Sequence, residues 1–598
     1  MATRQAMSIC APPIISVLSR RQMIIPAIEH RGRQMFRRTL QVRSCSTTNN
    51  VAPLRRSGNY QPSIWTDERV QSLTSTSTEQ REEKRERINV LKEQTRNLIL
   101  EQQQVAEQLR LIDHLQQLGV AYHFKDEIAD VLSRLHASLD GVSSQLEDDL
   151  HATALLFRLL RANGFSVSQD LFETFRDEKG NFEVRCEDQI GGLLSLYEAS
   201  YLEKEGEILL KEAMDFATEK LKGFMEEGSG SLGLREQVAH ALQLPLNRRM
   251  ERVQHRWFIE ACNGSDDAIN PLLLEFAKLD FNLVQDMYKG ELRELSRWWS
   301  GLGLLEKLPS FRDRLAESYL WAVGFAYEPD SWRCRMIQTK ICCFITLIDD
   351  IYDVYGTLDE LQLFTDVVDR WDLINAMDKL PEYMKLCFFA LYNMVHEEGY
   401  RVMKETGLDI VPDLKRRWGN QCKSYLKEAK WFHHGHTPTL EEYLENGWVS
   451  ISTPILLFHA YCADKGLTEE ALKSFPTYYP ITRSSGTLFR LYDDMGTSTH
   501  EIARGDVAKC IQCYMQEKGI SEEAARKGIR ELMRKYWREL NEYRSWDSHP
   551  LEEYFKNVAI NIPRSANFFY ENGDGFGEAV DGETKSQIIS LFFEPIQI

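Results

Sequence analysis

Several things are missing from this chain, and each absence excludes something. The 12 cysteines are scattered from Cys10 to Cys513 without a regular spacing. Cys342-Cys343 is an adjacent pair, and Cys510/Cys513 is a lone Cys-x-x-Cys with no second pair at zinc-ligand distance. A disulfide framework and a structural zinc are therefore set aside in favour of reduced, buried thiols. No apolar run reaches the ~18 residues that a membrane span needs. Alternating β-branched runs are almost absent, which argues against strands. No internal repeat and no long low-complexity tract is present. Positive charge is short as well: the 598 residues carry a formal net charge of -18. That speaks against a nucleic-acid or anionic-membrane partner.

Residues 1–54 are an exception to the acidic balance. They hold eight Arg, no Lys and one acidic residue, Glu29. This Arg-rich, acid-poor composition is that of an organelle transit peptide. A basic nucleic-acid arm is the competing reading, and composition alone does not separate plastid from mitochondrion.

From about Glu79 the periodicity is helical. Amphipathic stretches cover Glu82 to Glu101, Leu109–Leu118, Phe124–Leu139 and Leu146–Ala162, with breaks expected at Gly119, Gly141 and Asn163-Gly164. The length exceeds one ordinary core, so two large domains are expected. Asn263–Pro271 is the best linker between them. The fold class is all-α: an N-terminal helical domain over 55–265 and a C-terminal helical bundle over 272–598. Gly228 to Gly233 fits Gly-x-Gly-x-x-Gly, but it follows a helical stretch and has no surrounding βαβ unit, so it reads as a helix–helix loop. His433-His434-Gly435-His436 has no partner at a metal-site spacing and reads as a surface loop. Gly447 to Pro454 interrupts an apolar helix with small and hydroxyl residues, as a cavity wall or a kink does.

Chemistry concentrates in two acidic stretches. The apolar run from Ile341 leads straight into Asp349, Asp350 and Asp353. At 3.6 residues per turn, Asp349 and Asp353 share a helical face. Burying such charge is costly unless cations neutralise it, and all-oxygen donors favour Mg2+ or Mn2+. Taken alone, an exposed acidic helix end before Gly356 accounts for this motif equally well. The second stretch places Asp493, Thr497 and Glu501 at i, i+4 and i+8, one oxygen-bearing stripe. Two such stripes facing each other make a multi-metal diphosphate clamp. Gly496 reads as a weak point in the second.

Arg55-Arg56 with eight residues before Trp65, Asp-Asp-x-x-Asp at 349–353 and Asp-Asp-x-x-Thr-x3-Glu at 493–501 occur in this order. The chain resembles the plant terpene synthases, specifically the angiosperm monoterpene branch, from Arg55 to Ile598. The resemblance implies a catalytic class I bundle at the C-terminus and an N-terminal α-barrel relic without chemistry. It implies three Mg2+ per site, with Mn2+ a substitute: Asp349 and Asp353 on two ions, Asp350 in support, and Asp493, Thr497 and Glu501 on the third. Arg312, Arg490 and Lys509 match its diphosphate cations. Lys509 lies eight residues past Glu501, about two helical turns on. Trp321 and Tyr570 match pocket-lining aromatics, and Arg55-Arg56 matches a segment that folds over the mouth.

The implied reaction is metal-assisted ionisation of geranyl diphosphate to an allylic cation in the plastid stroma, by a monomer or homodimer. The product leans acyclic, to linalool, myrcene or ocimene, because Phe489 disfavours ring closure; limonene, terpineol or pinene stay open. The alternatives are a sesquiterpene synthase on farnesyl diphosphate, a non-catalytic helical relative, and a chain-elongating prenyltransferase. The last needs two similar Asp-rich motifs, and the second here has Thr497 and Glu501 instead.

Overall fold

Helix after helix is what the periodicity predicts, and the computed structural model contains no strand among the described residues, only an isolated bridge between Arg176 and Phe182. The structure describes residues 55, 58, 60–183, 190–263, 269–308, 311–464, 466–504, 507–545, 550–577 and 582–598. The transit-type segment 1–54, Arg56 and the centre of the expected linker, 264–268, lie outside the described residues.

Several helix starts follow from local capping. Ser77 caps Thr78–Glu101, Asp149 caps Leu150–Ala162 and Thr439 caps Leu440–Ser450, each side-chain oxygen accepting an otherwise unpaired backbone N–H. Stops follow from Gly in the left-handed region, as at Gly228, Gly407 and Gly435. The stretch after Gly228 is accordingly a turn between Ile208–Glu227 and Leu232–Gln243. The histidine-rich stretch ends the Val411–His434 helix, and His436 pairs with Glu442 at 3.5 Å. The expected break at Gly141 is not there. Gly141 sits inside the short Leu139–Gln145 helix, and the break falls at Ser138 instead.

One hydrophobic core runs from Trp65 to Ile596. The long Pro271–Gly301 helix is its spine, burying Phe276, Phe281, Tyr288 and Trp299. Buried polar groups stitch the two helical halves. Tyr122 donates to Asp280 at 2.7 Å and Arg256 donates to the Glu594 carbonyl at 2.9 Å, while within the C-terminal half Asn282 donates to the Ile596 carbonyl at 2.8 Å. Losing one partner of such a buried bond costs about 1–3 kcal/mol.

Candidate active site

The first acidic motif closes the helix Trp332–Asp350, which buries Ile341, Phe344, Leu347 and Ile348. The ideal periodicity does not continue through the motif. Ile351–Tyr355 is a π-helical turn, and Asp353 stands on it. Such turns recur at functional sites because they re-aim side chains. Asp349 and Asp353 both border one cavity of about 120 Å3. Asp350 does not border it. It is buried behind, accepting from Arg312 N at 2.8 Å and Arg312 Nε at 2.8 Å. Arg312 Nη2 reaches Asp349 Oδ2 at 2.5 Å. Burial works against charge on Arg312, but Asp350, Tyr60, Asp349 and Asp574 hold its pKa well above the ordinary value.

The second motif lies on Tyr479–Arg504, across the same cavity. Arg490, Asp493 and Thr497 all border it. Arg490 donates to Asp493 at 2.8 Å and to Asp494 at 3.3 Å. Asp494 faces away: it is fully buried and takes the Tyr443 hydroxyl at 3.0 Å and the Cys510 N–H at 3.0 Å. The side chain of Glu501 lies outside the described residues.

Gly496 is not a weak point. A Cβ there would stand 2.5 Å from the Tyr570 carbonyl oxygen. The glycine lets the Tyr479–Arg504 helix approach Pro550–Tyr570 closely enough to put Tyr570 on the cavity wall. Lys509 borders the cavity too, but not two turns along the same helix. That helix ends at Arg504, and Lys509 precedes the Cys510–Lys518 helix.

The far wall is aromatic. Trp321 stacks on Phe569 with centroids 4.5 Å apart, lies 4.9 Å from Phe489 and 6.2 Å from Tyr570. The interrupted helix supplies another face. Leu440–Ser450 and Thr453–Ala463 are separated at Ser452, whose φ of 73° is left-handed. Gln421 satisfies the freed Ser450 carbonyl at 2.8 Å. Ser450, Ile451 and Ser452 border the cavity as a result.

Sequence reasoning missed three residues. Glu428 borders the cavity and is held by Asn446 at 2.8 Å and Ser450 at 2.6 Å. Asp574 borders it as well, its carboxylate accepting from Phe576 N and Gly577 N. Neither lies at a motif spacing, so only the fold reveals them. Arg314 ties the Gly577 carbonyl at 2.6 Å to the Gln61 carbonyl at 3.3 Å. Arg314 stands two residues after Arg312, and nothing in the sequence distinguishes the strut from the cavity arginine.

Arg55, Tyr60 and Trp65 tie the N-terminal end of the described residues to the C-terminal half. Arg55 donates to Glu360 at 3.0 and 2.9 Å and to the Tyr355 carbonyl at 3.1 Å. Its guanidinium lies 4.6 Å from the Tyr355 ring centre and 4.9 Å from that of Tyr383. Tyr60 covers Arg312 at 4.8 Å. Trp65 is buried in the core, 5.2 Å from Phe593.

The donor set suits a hard divalent cation. Asp349, Asp353, Asp493 and Thr497 offer oxygen only, from two helices facing one cavity. Among the described residues no three His, Cys, Asp or Glu side chains form a ready-made cage. Mg2+ usually keeps several waters and takes one or two carboxylates plus substrate phosphates, which oxygen donors of this kind can provide.

Comparison with known proteins agrees with this geometry. Residues 64–242 match the family "Terpene synthase, N-terminal domain", and residues 300–539 match "Terpene synthase family, metal binding domain". The chain belongs to the terpene synthase family. The synthase is 58% identical over 556 residues to "Monoterpene synthase 7, chloroplastic" of Hedychium coronarium, covering 92% of this chain and 93% of that one. It resembles a limonene synthase solved with 2-fluorolinalyl diphosphate, at a TM-score of 0.86 and 40% identity, over 91% of this chain and 100% of that one. It also resembles isoprene synthase from grey poplar leaves (Populus x canescens), solved with three Mg2+ ions and dimethylallyl-S-thiolodiphosphate. That match has a TM-score of 0.80 and 42% identity, over 90% of this chain and 99% of that one. The synthase is thus a lyase with a divalent-metal cofactor, and both its family segments are helical. No helix among the described residues is long and apolar enough to cross a membrane.

Proposed function

We propose that this synthase ionises geranyl diphosphate and converts the resulting allylic cation into a ten-carbon monoterpene and free diphosphate. It is a monoterpene synthase, working in the plastid stroma after residues 1–54 have delivered it, with a supporting domain over 55–265 and a catalytic domain over 272–598. One observation carries the reading: acids from two separate helices, two arginines and an aromatic wall border one cavity.

Asp349 and Asp353, with Asp350 behind them, hold two Mg2+, and Asp493, Thr497 and Glu501 hold the third; Mn2+ substitutes. The isoprene synthase complex with three Mg2+ supports that count. Bound there, the metals supply the Lewis-acid charge that makes diphosphate a leaving group.

This chain's own residues do the rest. Small-molecule sites run roughly 300–1,000 Å3, well above the cavity of about 120 Å3 seen here. The polar end is the part able to widen. Arg312 and Arg490, now bound to carboxylates, exchange them for diphosphate oxygens, and Lys509 adds a point charge. Trp321, Phe489 and Tyr570 present ring faces to the cation, each such contact worth up to about 2 kcal/mol when dry. Arg55, latched on Glu360, keeps water from the mouth. Phe489, packed on Trp321, narrows the wall where the chain would fold into a ring, which favours an acyclic product such as linalool, myrcene or ocimene.

The test is turnover by the chain from Arg55 on, with Mg2+ and either geranyl or farnesyl diphosphate. Ten-carbon volatiles at a kcat/KM at least tenfold above that for farnesyl diphosphate support the assignment. A preference for farnesyl diphosphate makes it a sesquiterpene synthase, and no turnover with any prenyl diphosphate leaves a non-catalytic relative.

A further inference from the structure

A second cavity, of about 580 Å3, opens among the N-terminal helices and shares no lining residue with the first. Its size falls within the range for small-molecule sites. Its walls carry both charge and aromatic surface. Arg158 is already neutralised, ion-paired to Asp113. Arg249 is not: it gives Nε to the Leu244 carbonyl at 2.8 Å and Nη2 to the His240 carbonyl, and carbonyls cancel no charge. Nη1 makes neither bond. Burial presses the Arg249 pKa down, with Glu198, Glu571 and Glu583 opposing. Glu198 is an incomplete counter-charge, because burial pushes its carboxyl up to about 7. Arg249 is half-buried and makes no ion pair among the described residues, so the site favours an incoming anion.

The apolar side is equally specific. The His240 ring stacks on Trp257 with centroids 3.4 Å apart and planes within 3°. Because Arg249 holds the His240 carbonyl, the cation and the aromatic pair are fixed to one another. Phe258 and Leu194 extend that wall, and His151, bonded to Ser195 at 2.8 Å, adds a neutral polar group.

We propose that this cavity is a second ligand site, taking a small carboxylic acid with a flat or branched apolar body, its carboxylate on Arg249 and its body against Trp257 and Phe258. The site stands apart from the reaction and serves as a place where such an acid bears on the synthase without entering the catalytic cavity.

The experiment uses 2-naphthoate as probe, and 2-naphthalenemethanol as its neutral counterpart, titrated calorimetrically into the full chain. Naphthoate binds at one site, at least tenfold tighter than the alcohol. Arg249→Gln weakens it at least tenfold, with kcat on geranyl diphosphate unchanged. Leu194→Trp, which fills the cavity, blocks it independently should Arg249→Gln fold poorly. Prior saturation with Mg2+ and a non-ionisable geranyl thiolodiphosphate leaves naphthoate binding intact. Equal binding of alcohol and acid, undiminished binding to folded Arg249→Gln or Leu194→Trp, loss of binding on filling the catalytic cavity, or no binding at millimolar probe would each overturn the proposal.

Discussion

Arg55 grips Glu360 through two nitrogens, at 3.0 and 2.9 Å, across 305 residues of sequence. The Glu360 carboxyl is raised by its partial burial, but the Arg55 guanidinium, the Thr357 N–H and the Tyr383 hydroxyl outweigh that and bring it down to about 2. The pair is therefore ionised throughout the working pH range. It joins Arg55 to the helix that begins just after the π-helical turn carrying Asp353. Arg55→Ala and Glu360→Gln should each lower kcat/KM about tenfold, or about 1.4 kcal/mol. The double variant should be little worse than either single one, because the two act as one latch. Additive losses in that cycle would show that they act separately.

Asp349→Ala should reduce turnover at least a hundredfold. Chelation of divalent metal should do the same to the parent, and added Mg2+ should restore the parent alone. The thermal midpoint should stay within a few degrees of the parent's, since Asp349 borders the cavity and is not in the core.

How much of this was legible beforehand depended on whether the signal was local. The two acidic stripes were visible because their oxygen-bearing residues are spaced about one helical turn apart in sequence, and Asp349, Asp353, Asp493 and Thr497 border one cavity although Asp353 stands on a π-helical turn. The interrupted helix was legible at Gly447 to Pro454 because small and hydroxyl residues break an apolar run. Glu428 was not legible, since its relation to the site exists only when Val411–His434 packs beside Leu440–Ser450. Lys509 was matched through the family resemblance, and only its position two turns along the same helix was misread, because Lys509 instead precedes the Cys510–Lys518 helix. Gly141 was misread because glycine is a poor helix former and a frequent stop, yet here it lies inside the Leu139–Gln145 helix.

Gly496→Ala should destabilise the protein by about 1–3 kcal/mol, the usual range for overpacking. The added Cβ would meet the Tyr570 carbonyl at 2.5 Å and the Tyr570 Cβ at 2.9 Å, so the two helices must separate. Activity should fall with stability, because both helices supply cavity wall. Gly223→Ala is the control: it is helical, a Cβ there would meet nothing within 4 Å, and stability should hold or rise slightly. Equal thermal shifts in both variants would contradict the close approach.

Glu317 sets a pH dependence of stability. Burial, at 2% exposure, raises its carboxyl from the ordinary 4.5 to about 7. The folded state thus holds this proton more tightly than the unfolded one. The stabilisation is complete below about 4.5 and is lost as pH rises through about 7. At ~1.4 kcal/mol per unit, its full span is about 3 kcal/mol. Glu317→Gln should therefore melt a few degrees higher than the parent at pH 8 and lose most of that advantage at pH 5. The same difference at both pH values would rule Glu317 out as the source.

The most direct measurement is a crystal structure of the chain from Arg55 on, grown with Mg2+ and a geranyl thiolodiphosphate that cannot ionise. Asp349, Asp353, Asp493, Thr497 and Glu501 should all be found on metal, with Arg312 and Arg490 turned from their carboxylates to the diphosphate. A diphosphate bound elsewhere, or arginines still paired to Asp349 and Asp493 beside a filled cavity, would contradict the account.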